Sequence, residues 1–78
     1  MVTNVIKVSL YGVIRLQAGV AHFESDARTL EELRKNIPNV SSSEAKDLIA
    51  LVNGSVVKRK YVFKDGDNVV FMSPAGGG

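Results

Sequence analysis

Apolar and polar residues alternate at the start of the chain. Between residues 5 and 11, Lys7 and Ser9 occupy one set of alternate positions, and the other set is apolar: Ile6, Val8 and Leu10. A period of two predicts a half-buried β-strand. Residues 12–19 are bracketed by glycines and have room for about one and a half helical turns. Because residues 20–24 form a second strand candidate, we expect a hairpin with a wide connection.

The clearest helix signal lies in the middle of the chain. Thr29 is a candidate N-cap, and Glu32 follows at the spacing of a capping box. One apolar stripe has helical spacing: Leu30, Leu33 and Ile37. Pro38 forces the residue before it out of helical geometry and is expected to end the element. The pattern therefore predicts one main helix of about two to three turns.

Turn signals divide the second half of the chain into short elements. Residues 41–47 (SSSEAKD) predict one helical turn, with one of the three serines as its cap. Residues 48–52 are continuously apolar, which predicts a central strand covered on both faces. Asn53 and Gly54 tolerate positive φ and predict a hairpin turn. Val56 and Val57 should then begin the return strand.

An irregular stretch and a last strand complete the pattern. Residues 58–64 have no clear period, and three large residues within them are expected to plug the core: Tyr61, Val62 and Phe63. Residues 64–67 (KDGD) predict a second tight turn. Residues 69–72 predict the last strand, and pairing should stop at Pro74, which cannot donate to a ladder.

The order of these elements predicts an α+β fold. A hairpin, one main helix and further strands favour a mixed sheet of about four or five strands packed on that helix, the β-grasp or ubiquitin-like architecture. A chain of 78 residues has room for one domain. We expect a β-grasp domain over residues 1–73 and a flexible glycine-rich tail over residues 74–78.

Composition and charge exclude several classes of protein. With 45% hydrophobic and 23% charged residues the chain is globular, and without cysteine it has neither a disulfide nor a thiol nucleophile. No signal peptide and no apolar run of the roughly 20 residues needed to span a bilayer are recognisable, so we expect a cytoplasmic protein and no membrane partner. The net charge of +2 is mild. The basic cluster Lys58, Arg59 and Lys60 is interpreted as a solvated turn, which does not favour nucleic acid as a partner.

Side chains that could carry out catalysis are scarce. The one histidine, His22, is expected at an exposed rim without a partner. Asp65 and Asp67 flank a glycine, but a calcium loop would need further oxygen ligands, so they are interpreted as turn residues. One histidine and no cysteine do not supply a nucleophile, a base and an orienting group. We therefore expect no catalytic side chain, no metal site and no cofactor bound by this chain.

The tail offers a different reacting group. It consists of Pro74, Ala75, Gly76, Gly77 and Gly78. In one interpretation the carboxylate of Gly78 reacts within a partner, because glycines without Cβ atoms fit the narrowest tunnel and Pro74 makes a stiff, extended stalk. In the other, the glycines are a frayed end. The short motif does not decide between these interpretations.

Four segments together resemble the MoaD/ThiS family of ubiquitin-like sulfur carriers, over nearly the whole chain. They are LYGVIRLQAG, ARTLEELRKNIP, LVNGSVV and KDGDNVVFMSPAGGG. The last is the most specific, since an Asp-Gly-Asp turn leads into a strand and a proline lies four residues before the final glycine. The first matches the MoaD pattern at Tyr11, Gly12, Ile14, Arg15 and Gly19.

The resemblance is closer to MoaD, the small subunit of molybdopterin synthase, than to ThiS. ThiS chains lack the segment that corresponds to residues 12–19. The chain also departs from MoaD, because Leu16 stands where a Glu is typical. Its tail has Ser73, Pro74 and Ala75 where two prolines and a β-branched residue are usual. These departures bear on which partner the chain serves.

The resemblance implies a carrier mechanism. An adenylating enzyme of the ubiquitin-activating, MoeB/ThiF type would use ATP to form an acyl-adenylate on Gly78, and a sulfur donor would convert it to a thiocarboxylate. The tail would then enter a MoaE-like large subunit and give its sulfur to the molybdopterin precursor. Partners are expected to bind the exposed sheet face at the last strand, with Phe71, Met72 or Val69 in an apolar patch.

Other functions stay open at this point. The same tail suits sulfur transfer in thiamine synthesis or tRNA thiolation, and it suits conjugation to protein lysines as a ubiquitin-like modifier. A plain β-grasp binding module, for which the tail is irrelevant, belongs to another class. One residue added after Gly78 should abolish a carrier and leave a binding module unaffected.

Overall fold

The computed structural model describes residues 4–74. The elements are β1 (Ile6–Tyr11), α1 (Val13–Ala18), β2 (His22–Ser25), α2 (Leu30–Arg34), α3 (Ser42–Ala45), β3 (Ile49–Val52), β4 (Ser55–Val56) and β5 (Asn68–Met72). The strands form one five-stranded sheet in the order β2-β1-β5-β3-β4. β1 and β5 are parallel, and the other three pairs are antiparallel. The predicted α+β fold with a mixed sheet is confirmed, as is the hairpin of β1 and β2.

One face of the sheet carries the hydrophobic core. The apolar set of β1 is buried as predicted, and the parallel register places Val69 of β5 beside Val8 and Phe71 beside Leu10. The helices cover this face with Ile14, Ala18, Leu30 and Leu33. Each large aliphatic side chain buried in this way stabilises the fold by roughly 1.5–3 kcal/mol. β5 therefore lies at the centre of the sheet, and the chain leaves the domain from that central strand.

The helix predicted to be the main one, α2, has five residues, so it is shorter than predicted and also shorter than α1, which has six. Thr29 is its N-cap, as expected, and its hydroxyl accepts a hydrogen bond from the backbone N–H of Glu32 at 3.1 Å. The helix ends at Arg34, because the next backbone N–H groups bond three residues back, in a tighter turn. The prediction that Pro38 ends the helix is therefore wrong. Ile37 is buried, 4% exposed, but lies beyond the helix.

Ser41 is the serine that caps α3. Its hydroxyl accepts from the backbone N–H of Glu44, and the Glu44 carboxylate accepts from the backbone N–H of Ser41, which completes a capping box. Hydrogen bonds from the side chains of Gln17 and Ser41 lower the pKa of Glu44. The predicted capped turn is confirmed, and Gln17 ties it to α1.

The continuously apolar strand is an interior strand, as predicted, but it is not covered on both faces. β3 lies between β5 and the edge strand β4, with Ala50 and Val52 buried and Ile49 42% exposed. The reason is that the helices pack on one face of the sheet only, so an unbroken apolar run still alternates between core and solvent. The turn at Asn53 and Gly54 is confirmed, since both have positive φ. β4 is Ser55–Val56, so it does not include Val57.

The irregular stretch contributes two of its three expected plug residues. Phe63 is buried, and Tyr61 packs edge-on against it with ring centroids 5.6 Å apart. Val62 is 65% exposed, so its predicted role in the plug is wrong. It pairs with Thr29 in an isolated β-bridge, and in such an extended segment adjacent side chains point in opposite directions.

Candidate functional site

The exit of the chain from β5 is the place where the expected tail begins. β5 ends at Met72, before the exposed Pro74, as the sequence predicts. The proposed reacting residue Gly78 and its neighbours Ala75, Gly76 and Gly77 lie outside the described residues. The boundary between a domain at 1–73 and a tail at 74–78 therefore stays a prediction.

Ser73 fixes the direction in which the chain leaves the sheet. Its hydroxyl accepts a hydrogen bond from the backbone N–H of Ile14 at 3.1 Å, in the first turn of α1. The N-cap of α1, Gly12, has no side chain to satisfy that group, so Ser73 serves as the cap from the other end of the chain. Gly12 has φ +82° and ψ −152°, a conformation that favours glycine. A Cβ at Gly12 would contact the Ser73 side chain at 3.5 Å.

The helix that holds Ser73 is itself attached to the core. Ile14 and Ala18 are buried, and Gly19 ends α1 in the left-handed conformation. The side-chain amide of Asn39 donates to the carbonyl oxygen of Ala18 at 2.8 Å. The glycine-bracketed segment therefore forms a support that carries the exit of β5.

The sheet face opposite the helices, the open sheet face, carries a continuous apolar surface. The register places Tyr11, Met72 and Ile49 in one row across three strands, and Val70, Leu51 and Val56 in the next. We call these six residues the apolar band. Tyr11, Ile49 and Val56 are 50%, 42% and 78% exposed, and the other three are half-buried. The band ends at the last residue of β5, one residue before Ser73.

The predicted patch residues are only partly correct. Phe71 and Val69 are 0% and 1% exposed, because they face the helices, so they are wrong as members of an exposed patch. Met72 lies on the open sheet face, and its role in partner binding stays a prediction. Val70 was missed because four apolar residues in a row conceal the orientation of the strand. The structure resolves the orientation, since Val70 is paired with the polar Ser9 of β1.

The polar end of the open sheet face has little chemistry of its own. His22 Nδ1 lies 3.1 Å from the hydroxyl oxygen of Ser9, so the expectation of a histidine without a partner is wrong. No carboxylate hydrogen-bonds this imidazole among residues 4–74. The pair is a cross-strand contact on an exposed surface.

Residues 4–74 contain no group of three or more His, Asp or Glu side chains arranged to hold a metal ion. None of the helices in these residues has the length and apolar character needed to cross a bilayer. The features that distinguish this domain are thus its anchored exit and its apolar band.

Comparison with known proteins places this geometry among β-grasp proteins. The model of the ThiS family matches residues 8–78. No curated protein sequence matches the chain. Among solved structures, SAMP1 from Haloferax volcanii is 18% identical, with a TM-score of 0.78 over 96% of this chain and 100% of that one.

Two further structures share the fold. A proposed molybdopterin converting factor subunit 1 from Pyrococcus furiosus is 22% identical, with a TM-score of 0.76 over 92% of this chain and 99% of that one. The complex of subunits 1 and 2 of the molybdopterin-converting factor from Helicobacter pylori includes a chain that is 22% identical, with a TM-score of 0.68 over 95% of this chain and 99% of that one. At these identities the likeness shows the ubiquitin-like β-grasp fold.

Proposed function

Because the chain belongs to the ThiS family, a family of ubiquitin-like sulfur carriers and modifiers, we propose that it carries sulfur as a thiocarboxylate on Gly78 and donates it in molybdopterin synthesis. The observation that carries this proposal is the anchored exit of β5. Ser73 is bonded to α1, Pro74 is exposed, and the sequence continues as Ala75 and three glycines. A fixed exit followed by residues with minimal side chains suits delivery of a carboxylate into a narrow site.

The chemistry resides in the terminal carboxylate and in the enzymes that act on it. The Gly78 carboxylate attacks the α-phosphorus of ATP within an adenylating enzyme, and pyrophosphate leaves. A sulfur nucleophile then attacks the acyl carbon and displaces AMP, which yields the thiocarboxylate. This chain contributes no catalytic side chain and binds no cofactor in the proposal, which requires Gly78 to be the last residue.

The apolar band is the proposed docking surface for the adenylating enzyme, which is of the MoeB/ThiF type. Apolar residues that lie exposed together favour a protein partner, and the band reaches Met72, the last residue of β5 before the exit of the chain. A partner seated on the band would therefore receive the tail directly. The expected location of this exchange is the cytoplasm.

A MoaE-like large subunit is the proposed acceptor partner. The Helicobacter pylori structure is a complex of subunits 1 and 2 of a molybdopterin-converting factor, and one of its chains shares the fold of this protein. Thiamine synthesis, tRNA thiolation and conjugation to protein lysines need the same activated tail, so they are the alternative destinations. Thiamine synthesis and tRNA thiolation differ in the acceptor of the sulfur, whereas conjugation joins the Gly78 carbonyl to a lysine amine in an isopeptide bond.

The intact mass of the chain tests the proposal. The purified chain is incubated with ATP, sulfide and a MoeB-type adenylating enzyme of known activity on its own carrier. We expect the mass gain that exchange of one carboxyl oxygen for sulfur produces. Deletion of Gly78, or addition of one residue after it, should abolish the gain.

A matched control separates the tail from the domain. Gly66→Ala alters a glycine in the turn at the end of β5 opposite the tail, and should leave the mass gain intact if the variant folds. Absence of both adenylate and thiocarboxylate, with an enzyme proven active, would leave the chain as a β-grasp binding module with an irrelevant tail. Formation of the thiocarboxylate without sulfur transfer to a molybdopterin precursor would refute the pathway and keep the carrier.

A further inference from the structure

A basic hollow lies on the helix-covered side of the domain. It has a volume of about 440 Å³ and is lined by Glu31, Arg34, Lys35, Ser42, Ser43, Lys46 and Arg59. Four of these residues are basic and one is acidic, whereas the whole chain has a net formal charge of only +2. Four of the ten Lys and Arg residues of the chain thus line this hollow, which shares no residue with the apolar band.

The fold holds the walls of the hollow in place. One guanidinium nitrogen of Arg34 donates to the carbonyl oxygens of Ala45 and Leu48, and its guanidinium carbon lies 5.5 Å from the ring centroid of Phe71. The backbone N–H of Glu31 donates to the carbonyl oxygen of Arg59 at 2.9 Å, which attaches the loop to the start of α2. Arg34 is thus a fixed positive charge at the base, and Arg59 is held at the rim.

The outer basic side chains have few partners. Arg59 contacts Glu31 through its Nε at 3.6 Å, an exposed ion pair worth little to stability. The ammonium groups of Lys35 and Lys46 make no hydrogen bond or ion pair with residues 4–74. These groups are therefore available to an anionic ligand.

The side chains that line the hollow favour a nucleic-acid backbone over a protein surface as the ligand. Protein interfaces depend on buried aromatic or aliphatic anchors, and the hollow contains none. Contacts to a nucleic-acid backbone come from Lys, Arg and hydroxyl groups, which are the groups present here. No aromatic side chain in the lining could stack on a base, so the contacts would be to phosphates, which carry no sequence information.

We infer that this hollow binds the phosphate backbone of a single-stranded nucleic acid, without sequence preference, on the side of the domain away from the apolar band; RNA serves as the probe. Lys35, Lys46 and Arg59 are the contact residues, and Lys58 and Lys60 flank Arg59 in the same exposed loop. Glu31 opposes binding, because its carboxylate forms an ion pair with the guanidinium group of Arg59 and competes with a phosphate for it. The inference does not depend on sulfur transfer.

Fluorescence anisotropy with a labelled oligouridine tests this inference on the full chain. About three phosphate contacts predict a slope of log K against log salt of about −2, and a dissociation constant of roughly 10⁻⁴–10⁻⁶ M at physiological salt. Lys46→Gln should weaken binding several-fold and reduce the slope by about 0.7. Lys7→Gln, the same charge change on the open sheet face, should have a clearly smaller effect.

Glu31→Gln is expected to increase the affinity for RNA, a result that an unfolded variant would not give. It should tighten RNA binding, whereas Glu24→Gln on the open sheet face should change it less. Thiocarboxylate formation should be unchanged by Lys46→Gln, which separates this test from that of the carrier. The inference is overturned by absent binding, by equal effects of Lys46→Gln and Lys7→Gln, or by polyglutamate competing as well as RNA.

Discussion

Asp67 connects three segments at the scale of a single residue. One carboxylate oxygen accepts from the side-chain amide of Asn53 at 2.9 Å, and the other accepts from the hydroxyl of Tyr61 and the backbone N–H of Lys64. Burial alone would raise the pKa of Asp67, but these hydrogen bonds outweigh it and hold the pKa below its ordinary value. Burial and the neighbouring Asp67 raise the pKa of Tyr61.

Replacement of this carboxylate should destabilise the fold in a pH-dependent manner. Asp67→Asn is expected to lower the free energy of unfolding at neutral pH by about 1–3 kcal/mol, because it leaves donors without their acceptor. Since the folded pKa is lowered, the contribution is present above the unfolded carboxyl pKa of about 3.9 and is lost as pH falls through the lower folded value. The difference between wild type and variant should therefore shrink below about pH 4.

Urea unfolding monitored by circular dichroism over a series of pH values measures this difference. Asp47→Asn is the matched control, because Asp47 is exposed and should change stability by less than about 0.5 kcal/mol. A difference that does not depend on pH would show that the charge of Asp67 has no part in its effect.

At the scale of elements, the fold depends on caps that come from outside the helix as well as from inside it. α3 supplies its own capping box, whereas α1 receives its cap from Ser73 after β5. α1 has six residues and would be marginal alone, so the cap links its formation to the docking of β5. The direction of the tail and the stability of α1 are thus coupled.

Loss of this cap should affect both stability and activation of the tail. Ser73→Ala is expected to lower the free energy of unfolding by about 1 kcal/mol. If the carrier proposal holds, it should also raise the KM for adenylation more than it lowers kcat, because the tail leaves the sheet in more directions. Ser73→Thr keeps the hydroxyl and should restore both values.

Ser55→Ala serves as the control for Ser73→Ala. Ser55 is an exposed serine in the edge strand β4, and its hydroxyl makes no hydrogen bond with residues 4–74. Equal KM values for Ser73→Ala and wild type would mean that the hydrogen bond caps α1 without positioning the tail.

At the scale of the whole molecule, the two sides of the domain differ in chemistry. The open sheet face presents the apolar band beside the exit of the tail, and the helix-covered side presents the basic hollow. Because the two surfaces share no residue, a protein partner and a polyanion could bind at the same time. Each surface is accordingly tested by substitutions that spare the other.

The apolar band should determine the affinity for the adenylating enzyme. Val56→Asp is expected to raise the KM for adenylation by about tenfold or more, because a charge would be buried in the complex. Val62→Asp is the matched control, since Val62 is 65% exposed but lies outside the band. Thermal unfolding of both variants checks that each remains folded. Similar KM values for the two variants would exclude the band as the docking surface.

Local signals predicted most elements, and the errors about which strand residues are buried have one physical cause. Alternation identified the buried side of β1, and the caps at Thr29 and Ser41 lie where the sequence places them. Which residues of an unbroken apolar run are buried was not predictable, because the sequence pattern is the same whichever face of the strand packs against the core. Phe71 was therefore assigned to the wrong face, and β3 was expected to be covered on both.

The sequence by itself determined the order of the elements, their turns and the glycine tail, because caps, glycines and alternation act over a few residues. Only the tertiary structure decided which face is occupied by each residue of the unbroken apolar runs, because in β5 this depends on its parallel pairing with β1, a strand near the other end of the chain that no local pattern connects to it.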